Sequence, residues 1–127
     1  MLSRSITALA LLATTAGALA QAPAVPAEFP AGAQPLTAEA LQQRLSGKEF
    51  QVPLADGSWW RLQFLSGGNW AITTNRGHKN DGTWRVDGSQ MCSEPKKARA
   101  SCNEMRLLGD TPYLKRDSGE VVKFDPR

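Results

Sequence analysis

The chain has 127 residues, 41% of them hydrophobic and 21% charged, with 15 basic against 12 acidic side chains and a net charge of +3. That length holds one domain, and the apolar content excludes a wholly disordered chain. One histidine and two cysteines are too few for a structural zinc site, and no nucleotide-binding loop, HExxH helix or paired CxxC is present.

Residues 1–22 come first. Arg4 precedes a mostly apolar run from Ile6 to Ala20, which ends in Ala18-Leu19-Ala20 or Ala20-Gln21-Ala22. A charged start, a short apolar stretch and small residues at the cut describe a signal peptide, cleaved after Ala20 or Ala22. The run falls short of the roughly 20 residues that span a bilayer, so the expected product is periplasmic or secreted, with no stable membrane insertion. Cleavage removes Arg4 alone among the charged residues, and the small positive excess that remains does not imply nucleic acid. In an oxidising compartment the only cysteines, Cys92 and Cys102, read as an intrachain disulfide. They are not in a CxxC arrangement, which disfavours a redox-active pair.

Residues 23–35 contain Pro23, Pro26, Pro30 and Pro35 among alanines and read as an extended linker. Residues 36–127 form the single expected domain. It starts with a short helix: Thr37 caps it, Leu36 and Leu41 make a hydrophobic staple, and Gly47 suits the position after its end. Leu41 and Leu45 share one face, and so short a helix needs an apolar surface to lie on.

From Lys48 the hydrophobic period becomes two. Phe50 and Val52, then Trp60, Leu62 and Phe64, then Trp70 and Ile72, then Trp84 and Val86 alternate with polar neighbours. Met91, Met105, Leu107, Leu114, Val122 and Phe124 continue the pattern. Turns are expected at Asp56-Gly57, Asp87-Gly88, Gly109-Asp110 and Asp117–Glu120. Register follows from keeping large residues on one face. A three-residue loop, Ser66 to Gly68, with a left-handed glycine sets Leu62 opposite Ile72. A two-residue Asp87-Gly88 turn would pair Val86 with Ser89 and Trp84 with Met91. Setting Cys92 opposite Cys102 brings Met91 and Met105 to the inner face and the disulfide to the outer one. The expected fold is mainly β: about eight short antiparallel strands in up-and-down order, a strongly bent sheet or small lipocalin-like barrel preceded by one helix. Eight strands leave room for side chains or one small ligand, and three inward tryptophans predict a filled interior.

Candidate chemistry is sparse. His78 reads as a solvated loop residue, since no GxSxG or other marked nucleophile accompanies it. No catalytic residue, metal site or cofactor is assigned. Asp56, Asp87, Asp110 and Asp117 all have turn explanations. Two surface features are candidate binding residues. The segment closed by the cysteines holds Lys96, Lys97 and Arg99 against Glu94, a charge run that suits a solvated loop or an acidic contact. Trp59 faces away from Trp60 and beside Arg61; it reads as stacked on Arg61 or covered by the helix, or as an interface hot spot.

The stretch Gly82 to Cys92, GTWRVDGSQMC, with Cys102, Gly109-Asp110, Leu114 and Gly119, resembles a family of uncharacterised small exported proteins of Gram-negative bacteria. The segment Thr83-Trp84-Arg85-Val86 with Gly88 and Cys92 is also similar to part of the periplasmic metalloprotease-inhibitor family. That resemblance implies a lipocalin-like barrel and a role for residues 23–35 in entering a protease cleft; in that family the disulfide partner precedes this hairpin, whereas Cys102 follows it. The expected function is a non-enzymatic binding module of the cell envelope, monomeric, whose partner is an anionic envelope component or a protein. The alternatives are a periplasmic protease inhibitor and a small hydrolase using His78.

Overall fold

The computed structural model describes residues 25–127 together with Gly17; the export-signal reading of residues 1–22 therefore falls, Gly17 aside, outside the described residues. The elements follow in the order β1 (Gln34–Pro35), α1 (Ala38–Leu45), β2 (Lys48–Pro53), β3 (Trp59–Phe64), β4 (Asn69–Thr74), β5 (Lys79–Asp87), β6 (Gln90–Pro95), β7 (Ser101–Leu108), β8 (Thr111–Lys115), β9 (Val121–Lys123) and β10 (Asp125–Pro126). The eight longer strands, β2 to β9, pair antiparallel in up-and-down order, as the alternation predicts. Only Phe124 separates β9 from β10. The first half of this last segment pairs with β8 and the second half with β2, so it draws the two sides of the sheet together and nearly closes a barrel. Closure leaves few unpaired edge groups.

The helix forms as its caps dictate. Thr37 Oγ1 accepts from the Ala40 N–H at 3.2 Å, and Gly47 follows the end with φ 75°. Leu41 and Leu45 are fully buried, and α1 covers one end of the barrel. The Gly47 N–H donates to Phe64 O, and Arg44 reaches Asp110 at 3.3 Å. Beneath the helix the interior is filled by aromatic rings. Phe50 lies 5.2 Å from Phe124, Phe64 lies 5.2 Å edge-on to Trp84, and Trp84 Nε1–H donates to Leu65 O at 3.0 Å. Edge-to-face contacts of this kind add to plain burial.

The Ser66–Gly68 loop is as expected: Phe64 stands opposite Trp70, Leu62 opposite Ile72, and Gly68 has φ 86°. The next hairpin differs. Its two-residue loop is Gly88-Ser89, with Asp87 opposite Gln90, Val86 opposite Met91 and Trp84 opposite Ser93. A left-handed glycine at the first loop position satisfies a primed hairpin turn, which moves the pairing two residues along from an Asp87-Gly88 turn. A shift of two preserves the faces, so Trp84 and Met91 still point inward. Cys92 pairs with Cys102 on the outer face, bonded as expected, and Met91 and Met105 are buried.

The stretch expected to be a linker is docked from Pro26 onward. Val121 N–H donates to Pro26 O at 2.7 Å, Phe29 lies under the Arg106 guanidinium at 4.6 Å, and β1 pairs with β7. Proline removes donors but not acceptors, so a proline-rich strand can still take hydrogen bonds from a sheet.

Candidate functional site

Because successive strands reverse direction, loops 65–68, 88–89 and 109–110 gather at the end covered by α1. Loops 54–58, 75–78, 96–100 and 116–120 gather at the other end. There the interior is not filled, contrary to the expectation from three inward tryptophans. A cup of about 260 Å³ opens between the strands, with Trp60, Trp70, Ile72, Leu114 and Arg99 among its lining residues. The reason is side-chain volume. The inward residues of β6 and β7 toward this mouth are Ser93, Pro95, Ser101 and Asn103, three of them small and polar, and they leave space between themselves and the Trp60–Ile72 wall.

The mouth is held by a charged latch. Glu120 is buried, accepts from Arg116 Nη1 at 2.8 Å and from the Ala55 N–H at 3.0 Å, and so ties loop 116–120 to loop 54–58. Arg116 also lies over the Trp60 ring at 4.7 Å. Asn103 Nδ2 donates to Lys115 O at 3.0 Å and to Asp117 Oδ1 at 2.9 Å, while its Oδ1 accepts from Ser101. Trp70 Nε1–H is buried with no partner among the described residues. At the rim, Arg76 reaches Asp56 at 3.4 Å. The Asp56 carboxyl is held below its ordinary pKa by the Ser58 hydroxyl first, then by the Ser58 N–H.

The five residues singled out from sequence do not form one surface. Trp59 and Arg61 sit together on the outer face of β3, the guanidinium 5.5 Å from the indole centroid. Arg61 Nε also stands 3.5 Å from Glu49 Oε1 without hydrogen-bond geometry. Trp59 is half-buried, not an open patch. Lys96 is engaged by Asp81 at 3.1 Å. Lys97 and Arg99 are exposed, and neither has a carboxylate partner among the described residues. Of the five, only Arg99 lines the cup. His78 is exposed at the tip of loop 75–78, where its N–H donates to Thr74 Oγ1 at 3.3 Å, and it does not line the cup.

Sequence reasoning missed Arg116, Asn103, Ser93 and Asp117. The signal was present for two of them: setting Cys92 opposite Cys102 turns Ser93 and Asn103 inward by the same alternation that turns Met91 inward.

Among the described residues, no group of three or more His, Cys, Asp or Glu side chains is placed to hold a metal ion, and no helix is long and apolar enough to cross a membrane. Compared with family models, with curated proteins and with solved structures, the chain matches none.

Proposed function

We propose that the protein is an exported, non-enzymatic binding module of the bacterial cell envelope, and that it makes its contact with the open end of the barrel. The observation that carries this reading is the cup, edged by loops 96–100 and 116–120 and lined at its lip by Arg99, a cation with no carboxylate partner among the described residues. Concave sites with apolar walls and a few convergent polar groups are where small ligands bind, and free cations at the edge favour an anionic partner. The disulfide fits an oxidising compartment, in keeping with a cleaved signal at residues 1–22.

The inhibitor reading needs residues 23–35 free to enter a protease cleft. Pro26, Phe29 and Gln34–Pro35 already have partners on the barrel, which favours the binding-module reading. A hydrolase would need His78 beside a nucleophile, yet it stands in solvent away from the cup.

Amide resonances of the isotope-labelled protein, titrated with aqueous and organic extracts of a Gram-negative cell envelope, test the proposal. Shifts confined to loops 96–100 and 116–120 and to the cup-lining strands are expected. Shifts confined to β2, β10 and α1, or none with either extract, would overturn it.

A further inference from the structure

We infer that the cup takes a small amphipathic anion, its apolar body against Trp60, Trp70 and Ile72 and a carboxylate-type head at Arg99. The inference rests on the open end being the binding surface and names the ligand class. Two arguments carry it. The first is shape. The walls differ, with the apolar Trp60, Leu62, Trp70 and Ile72 from β3 and β4 on one side and the mostly small, polar Ser93, Pro95, Ser101 and Asn103 from β6 and β7 on the other. A volume of about 260 Å³ lies below the roughly 300–1,000 Å³ of sites for drug-sized ligands. It suits a short chain or a single ring, not a whole bilayer lipid.

The second argument is the hydrogen-bond inventory. Two acceptors in the lining are engaged, Asn103 Oδ1 by Ser101 and Asp117 Oδ1 by Asn103, and the Glu120 carboxylate, outside the lining, is engaged by Arg116 and the Ala55 N–H. Of the two cations in the lining, Arg116 is paired with Glu120, while Arg99 has no carboxylate partner among the described residues. An anionic head meets that guanidinium. The lining also holds the exposed Asp117 carboxylate, which has no cationic partner among the described residues, so an anionic head is directed to Arg99 and away from Asp117. The loop carrying Arg99 is fastened at its base by the Cys92–Cys102 bond, so the guanidinium is held near the lip and less ordering is left for binding.

The test uses the protein with its disulfide intact and octanoate as the probe, followed by calorimetry and by tryptophan emission, since Trp60 and Trp70 line the cup. Octanol, octylammonium and glucose are the comparison probes. Octanoate is expected to bind saturably and about tenfold or more tighter than octanol, the margin expected of a hydrogen bond to a charged group. Across a series from butanoate to dodecanoate, affinity should rise about fourfold per methylene and level off once the cup is full. Arg99→Ala should erase the preference for octanoate over octanol, and Arg99→Lys should restore part of it. Ser93→Leu, whose fold is checked by circular dichroism, should block octanoate and octanol alike. Equal affinity for octanol and octanoate, preference for octylammonium or glucose, no saturable octanoate binding, or a preference unmoved by Arg99→Ala would each overturn the inference. If octanoate fails while envelope extracts still shift the mouth resonances, the ligand class falls and the binding-surface reading stands.

Discussion

Gly82 is the residue whose replacement should disturb the barrel most for the fewest atoms. It faces inward on β5 opposite Pro95, and a Cβ placed there would lie 2.0 Å from Glu94 O, 2.8 Å from Glu94 C and 2.9 Å from Pro95 Cα. All three are backbone atoms, so no side chain can swing away. Ordinary contact needs about 3.5 Å, which means β5 and β6 must part by more than an ångström in a sheet whose strands sit roughly 4.8 Å apart. Parting them strains the Thr83–Glu94 pair and the Lys96 N–H to Asp81 O bond of 2.8 Å. Overpacking of this kind costs about 1–3 kcal/mol, and each weakened backbone bond about 1 kcal/mol. Gly82→Ala is therefore expected to destabilise by about 2–4 kcal/mol, lowering Tm by roughly 10 °C or more in a domain of this size. Thermal and urea unfolding followed by circular dichroism measure it. Gly67→Ala is the control, because a Cβ there meets nothing within 4 Å. A Gly82→Ala melting curve indistinguishable from that of the Gly67→Ala protein would refute the reasoning.

Glu120→Ala should cost about 2–3 kcal/mol in urea unfolding, since it strips a buried acceptor from Arg116 and from the Ala55 N–H; Glu120→Gln, which keeps an acceptor, should cost less. Replacing both Cys92 and Cys102 by Ala opens a loop with a sequence separation of 10 and should cost about 2.5 kcal/mol in the chain-entropy model, visible as a lower urea midpoint. Asp56 has a folded-state pKa depressed by Ser58. Its contribution is therefore present above the unfolded carboxyl pKa of about 3.9 and fades as pH falls through the lower folded value. Asp56→Asn should flatten the acid limb of the stability curve below about pH 4 and leave its slope between pH 6 and 8 unchanged, as read by thermal melts across pH.

The strand pattern was legible because a period of two survives errors of register. The Asp87-Gly88 turn was assigned one residue from its true place, which shifts the pairing by two, yet Trp84, Val86 and Met91 kept their faces, since only an odd slip inverts a strand. The helix was legible because Thr37, Leu41, Leu45 and Gly47 each satisfy a local rule. Residues 26–35 misled for a different reason. Their composition reports a preference for extended backbone, and extended backbone is equally ready to add to a sheet; the partners Val121, Arg106 and Leu107 lie 70 or more positions away and leave no local signal. The candidate site was half legible. Arg99 was marked by charge alone, while Arg116 and Glu120 looked like ordinary turn residues until the fold brought loop 54–58 beside them.

The cup follows from how side-chain volume is graded along the barrel. At the helix-covered end, Phe50, Phe64, Phe124, Trp84 and Met105 fill the interior to the packing expected of a core. At the open end the inward positions of β6 and β7 fall to Ser93, Ser101 and Asn103 with Pro95 beside them, and the two cysteines, which are bulkier than serine, point outward and fill nothing. Three apolar residues at these positions would close the space and stabilise the fold at roughly 25 cal/mol per Å² of apolar surface. The sequence instead keeps polar groups there and spends Asn103, Asp117 and a main-chain carbonyl on satisfying one another. The Trp70 N–H, buried without a partner among the described residues, adds a deficit of about 1–3 kcal/mol, and Arg61 Nε on the outer face is unpartnered in the same way. An occupant that buried the Trp60–Ile72 wall would recover part of the stability forgone at the mouth, as any ligand that binds the folded state alone does.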